Sequence, residues 1–133
     1  MSNENVDAVR RSFEAWNKNE WATLEELYHP GAVAVAPAGW LEMGPFNGFE
    51  EVRAQFARIK DSWDEEHVEI DSLRDVGPDK VLALIRWVAK GRGSGIAFET
   101  PMTELLTVRG GTIARVEFYL DHGEALKAAG LSE

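Results

Sequence analysis

The sequence predicts an α+β fold, with three N-terminal helices packed on a curved, mainly antiparallel sheet and a short C-terminal helix. Two observations carry this. Apolar residues recur every three to four positions up to Trp63, and every two positions after it. Turn signals at Gly77-Pro78-Asp79, Gly91 to Gly95 and Arg109-Gly110-Gly111 then cut the second half into strands. Helices followed by strands give segregated layers with the helices on one face of the sheet, not alternating β–α units.

Taken in order, Val6, Val9, Phe13 and Trp16 form one apolar stripe on a first helix of roughly four turns. A shorter helix covers Trp21 to Tyr28 with Trp21, Leu24 and Leu27 inward, and His29-Pro30-Gly31 stops it. Ala32 to Ala36 reads as a short strand. The irregular segment from Ala38 to Asn47 carries Trp40, Leu41, Met43 and Phe46, more apolar surface than a loop holds unless it covers something. Asn47-Gly48-Phe49-Glu50 starts a third helix, with Phe49, Val52, Phe56, Ile59 and Trp63 as its stripe. His67 to Val76 is a strand with Val68 and Ile70 inward. Val81 to Lys90 is apolar on both parities except at Arg86, so it is expected to be buried on both faces. Ile96 to Val108 follows, with Pro101 marking a bulge or an edge. Gly111 to Asp121 alternates, with Ala114, Val116, Phe118 and Leu120 on one face and Ile113, Arg115, Glu117, Tyr119 and Asp121 on the other. His122 to Ala129 closes the chain as a small helix.

At 133 residues, 44% of them apolar, one domain over 1–133 with a real core is expected. A net charge of −9 repels nucleic acid and anionic membranes. The chain has no cysteine, which removes disulfides, thiolate catalysis and cysteine-held metals and suits a cytoplasmic protein. Three scattered histidines lack metal-ligand spacing, so neither metal nor cofactor is expected. No signal peptide or membrane-spanning run is read.

The element order resembles the nuclear transport factor 2-like superfamily, whose cone-shaped, barrel-like α+β domains enclose one pocket. The tail from Glu117 to Leu131 and the Arg92 to Gly95 tip resemble its SnoaL-like branch, which includes polyketide cyclases. Fold alone does not give function there, because the superfamily holds many chemistries and many pockets without catalysis. The resemblance places the three working positions of ketosteroid isomerase at Ser12, Ala36 and Thr103, residues unable to do that chemistry, so the isomerase mechanism is ruled out. It places the aspartate base of SnoaL-like cyclases at Asp121. The arginine of limonene epoxide hydrolase falls on Arg86, but that enzyme's first aspartate falls on Val88, which weakens the hydrolase reading.

A guanidinium in an apolar strand needs an acidic partner. An Arg86–Asp121 pair on the pocket floor is therefore expected, with Glu104 as the other candidate partner. The expected catalytic set is Asp121 as base with Arg86 and Tyr119. Trp40, Met43, Phe46, Glu104, Tyr28 and His122 would hold a small, largely apolar molecule. The two apolar faces of the long strands also predict a homodimer through the sheet, with Ile85 and Trp87 at the contact. The expected activity is cofactor-free acid–base chemistry of the cyclase, isomerase, lyase or hydrolase kind. The alternative is a non-catalytic binding or dimerisation module.

Overall fold

A computed structural model of the chain describes residues 3–36, 44–91, 93 and 95–131. Helices α1 (Asn3–Asn17) and α2 (Trp21–Leu27) precede strand β1 (Tyr28–Val35), then β2 (Phe46–Asn47) and helix α3 (Phe49–Asp61). Strands β3 (Trp63–Gly77), β4 (Lys80–Gly91), β5 (Ala97–Arg109) and β6 (Thr112–Tyr119) follow, and α4 (His122–Ala128) ends the order. The strands make one mixed sheet in the order β2-β1-β6-β5-β4-β3. Only β1 and β6 run parallel among the described pairs; the rest are antiparallel. The fold is the expected α+β one, and the sheet is open, ending on β3.

Trp63 leaves the third helix and begins β3, where its ring meets Trp87 at 5.2 Å and Phe98 at 4.9 Å. The first strand starts at Tyr28, earlier than the turn at His29 to Gly31 suggests. Its parallel register on β6 shifts between Tyr28 and Val33, so Pro30 and Gly31 sit in the irregularity. The β5–β6 turn has Gly110 at φ 60° and Gly111 at φ 79°, the two left-handed residues of a two-residue hairpin of the primed type.

The inner face of the sheet packs under α1, α2 and α3. Val81, Ala83, Ile85, Trp87 and Ala89 of β4 lie there, with Leu106 and Val108 of β5 and Val116 of β6. The outer face is not left bare. Leu82 and Leu105 bury Ala125 and Leu126 of α4 against them, with Tyr119 and Leu131 packed at the margin. Helices thus lie on both faces, correcting the one-face expectation. Asn17 at the end of α1 pins the edge strand. Its amide donates to the Val68 carbonyl at 2.9 Å, and its oxygen accepts from the Val68 N–H at 2.8 Å. That stands in for a missing neighbour strand. Among the described residues no helix is long and apolar enough to cross a membrane.

Candidate active site

Alternation along β5 decides what faces inward. Met102, Glu104, Leu106 and Val108 share the inner face, while Thr103, Leu105 and Thr107 face out. Glu104 is therefore a lone carboxyl in an apolar row. Its register partners are Ala83 on β4 and Phe118 on β6, neither able to donate a hydrogen bond from its side chain. The residue is 6% exposed.

Between the inner face and the helices lies a cavity of about 80 Å³. Helices supply Ser12, Phe13, Trp16, Leu24, Gln55, Phe56 and Ile59, and the strands and their ends supply Tyr28, Ala36, Val68, Ile85, Trp87, Met102, Glu104 and Phe118. The cavity is nearly all hydrocarbon and aromatic ring. Burial alone pushes the Glu104 carboxyl up to about 8, because the charged form finds neither water nor a described donor. Tyr28 is buried against Phe49 and Phe56. Burial, and then the charge on Glu104, raises its phenol far above the usual range, so it stays a neutral hydroxyl. Gln55 is 3% exposed, and its Oε1 has no hydrogen-bond partner among the described residues. Ser12 donates to the Val9 carbonyl at 2.7 Å.

One wall is locked from behind. Glu66 Oε1 accepts from the indole N–H of Trp16 at 2.7 Å and of Trp87 at 3.1 Å. Its Oε2 pairs with Lys60, whose ammonium also donates to the Trp16 carbonyl at 2.8 Å and lies 4.1 Å from the Trp16 ring centre. Both cavity-facing indoles are thereby fixed in rotation.

The expected site residues divide by face. Glu104 and Tyr28 line the cavity. Arg86 does not; the expected Arg86–Asp121 pair is absent. Arg86 points from the outer face, about a third exposed, and binds Asp71 at 3.0 Å, Glu69 at 3.0 Å and Glu99 at 3.1 Å. Ile85 and Trp87, expected at a dimer contact, are the inward residues and line the cavity. Asp121 is exposed and caps α4, accepting from the Gly123 N–H at 2.8 Å and the Glu124 N–H at 3.2 Å. Tyr119 also faces out, packed by α4, and donates to Glu117 at 2.6 Å. His122 Nδ1 lies 3.1 Å from the Thr103 hydroxyl on that outer side. Phe46 packs on the core margin without lining the cavity, and Trp40 and Met43 fall outside the described residues. Of the positions carried over from ketosteroid isomerase, Ser12 and Ala36 line the cavity, but Thr103 faces away and its neighbour Glu104 takes the inward place. The sequence did not raise Gln55, Trp16 and Trp87 as lining groups. A lone glutamine among the apolar positions of α3 was the available signal.

No three potential metal-ligating His, Asp or Glu side chains come together among the described residues. No curated protein sequence matches the chain. Solved structures do. Bal32a, from a soil-derived mobile gene cassette, is 23% identical with a TM-score of 0.79, covering 88% of each chain. A candidate SnoaL-like polyketide cyclase from Jannaschia sp. CCS1 is 19% identical with a TM-score of 0.78, covering 98% of this chain and 94% of that one. A protein of ketosteroid isomerase-like fold from Catenulispora acidiphila, in complex with trimethylamine, is 22% identical with a TM-score of 0.74, covering 93% and 92%. At these identities the likeness is one of fold. The sequence profile of the SnoaL-like domain matches residues 9–116, most of the chain. The chain belongs to the SnoaL-like family, within the nuclear transport factor 2-like superfamily.

Proposed function

We propose that the chain is a small-molecule enzyme performing acid–base chemistry on a small, largely apolar substrate, with Glu104 giving and taking the proton. One observation carries this. Glu104 is a buried carboxyl with no described hydrogen-bond partner, facing a cavity that also presents the Tyr28 hydroxyl and the unpaired Gln55 oxygen. A polar atom left unpaired in apolar surroundings costs about 1–3 kcal/mol, so the unpaired Gln55 Oε1 in the same cavity as the Glu104 carboxyl points to a ligand that pairs them. Asp121 has no such place, because its carboxylate serves the α4 cap.

The chemistry follows from protonation. Near neutral pH Glu104 holds its proton, because its midpoint lies at about 8. It can donate to a substrate oxygen while negative charge builds there, and it then becomes the base that returns the proton. Tyr28 can supply a second donor without losing its proton. In surroundings as apolar as this cavity each of these contacts is stronger than it would be in water. General acid–base catalysis of this kind contributes roughly 10²–10⁴-fold.

The test is a turnover screen of small apolar carbonyl and hydroxyl compounds with the wild type and Glu104→Gln. Turnover should fall by about that factor in the variant, and kcat should change near pH 8. Equal turnover in both proteins refutes the role of Glu104. The second reading is a non-catalytic binding pocket. It is favoured by one observation: Glu104 is the only described carboxyl lining the cavity, so no acid–base pair is present. Tight binding to both proteins with no turnover selects that reading.

A further inference from the structure

Building on that cavity as a ligand site, we propose that its occupant is a small alkylammonium cation, seated among aromatic rings against the Glu104 carboxylate. The lining contains six aromatic side chains: Phe13, Trp16, Tyr28, Phe56, Trp87 and Phe118. Aromatic faces carry negative potential and attract cations, most strongly where water is absent. The only acidic or basic side chain lining the cavity among the described residues is Glu104; the lining residues Tyr28, Ser12 and Gln55, from β1, α1 and α3, are neutral, and the Lys60–Glu66 pair lies behind the Trp16 and Trp87 rings, outside the lining. An anionic ligand would meet no cation among the described lining residues. Lys60, next to the lining residue Ile59, is already paired with Glu66.

Lys60 also shows that these rings accept an ammonium, since its Nζ lies 4.1 Å from the centre of the Trp16 ring. A cavity of about 80 Å³ holds several water-sized groups, which suits a molecule of a few carbon atoms around one nitrogen better than a fused-ring system. The net charge of −9 draws cations toward the protein.

A cation changes the state of Glu104. Empty, the carboxyl is mostly protonated at pH 7. Occupied by a permanent cation, it ionises, and its proton passes to solvent. No bond other than that O–H breaks. With such an occupant Glu104 acts as a base beside a positive centre, whereas in the empty site, or beside a neutral ligand, it is an acid; Tyr28 remains a donor in both cases.

Calorimetry with choline and its uncharged isostere 3,3-dimethylbutan-1-ol tests this, in phosphate and in Tris at pH 7. The two buffers differ in ionisation enthalpy, so the difference in heat counts protons. From a midpoint of about 8, choline should release about 0.9 proton per site at pH 7 and bind about tenfold more tightly at pH 9. The alcohol should release none and bind on the order of tenfold more weakly or worse. Glu104→Gln should abolish the release, and because the wild-type proton count stands by itself, poor folding of the variant leaves the test intact. Absence of choline binding, or binding without proton release, overturns the proposal. If the alcohol binds as tightly as choline and without proton release, the ligand is neutral and the acid–base reading stands. If Glu104→Gln binds choline as the wild type does, Glu104 does not pair the cation and the proposal is overturned, while the cavity remains a binding pocket.

Discussion

Glu104→Gln should make the protein more stable, and increasingly so as pH rises. The substitution keeps shape and hydrogen-bonding capacity but cannot ionise. In the unfolded chain Glu104 titrates near 4.5, and in the folded chain at about 8. The folded state therefore binds more protons between these values, and stability falls as pH rises through that window. Moving the midpoint from 4.5 to about 8 corresponds to about 5 kcal/mol of lost stability above pH 8. Almost none is lost below pH 4.5. Comparing pH 5 with pH 9 removes any constant effect of the amide itself. Between those two, the stability gap between variant and wild type should widen by about 4 kcal/mol. Domains of this size are stable by only about 5–15 kcal/mol, so the effect is large. Urea unfolding of both proteins at pH 5, 7 and 9 reads it directly. Parallel stability curves for the two proteins would mean that Glu104 reaches water or a donor when ionised, and the site argument would collapse.

The remaining predictions concern the supports. Glu66→Ala should cost about 3 kcal/mol, because it leaves two indole N–H groups unpaired and removes the carboxylate partner of Lys60, whose side chain is 11% exposed and keeps only the Trp16 carbonyl and ring; chemical unfolding measures it. The same variant should shift tryptophan emission, since Trp16 and Trp87 both lose their anchor. Asp121→Ala should cost about 1 kcal/mol through the α4 cap, whereas Asp121→Asn keeps the cap and should leave both stability and turnover near wild type; an activity loss in Asp121→Asn would return the base to that residue. Arg86→Met should change the unfolding midpoint little, because all three partners are solvent-exposed; a large loss would show that the outer face is covered.

The fold was legible because period and punctuation agreed along the chain. Phe49, Val52 and Phe56 read as a helix stripe and are one. Face assignment failed for a physical reason. β4 is apolar on both parities, since its inner residues meet α1 to α3 and its outer Leu82 meets α4, so hydropathy could not tell inside from outside. Arg86 was then read as buried because its strand was apolar. Its partners Glu69, Asp71 and Glu99 come from neighbouring strands and appear only with the register. The last strand misled in a second way. Thr107 pairs with Arg115 but Val108 with Ile113, so Ala114 is an extra residue and Ile113 turns inward against strict alternation. The polar parity that remained, with Glu117 and Tyr119, is the outer face. Glu104 was visible throughout as the one charged residue in the row Met102, Glu104, Leu106, Val108.

The lone carboxyl and the rigid wall belong to one argument. A flexible cavity would relieve Glu104 by letting water or a donor reach it, and its raised midpoint would vanish. Glu66 prevents one route to relief by fixing two of the large rings that surround the site. The wall thus preserves the mismatch on β5. A cationic ligand that pairs the Glu104 carboxylate removes the same mismatch, so it should stabilise the fold more at pH 9 than at pH 5, by up to the roughly 4 kcal/mol that ionisation takes away. Glu66→Gln, which weakens the wall while keeping its shape, should lower the Glu104 midpoint toward 4.5 and flatten the pH dependence of stability. An unchanged midpoint in that variant would separate the two features and leave the desolvation of Glu104 to Ala83 and Phe118 beside it.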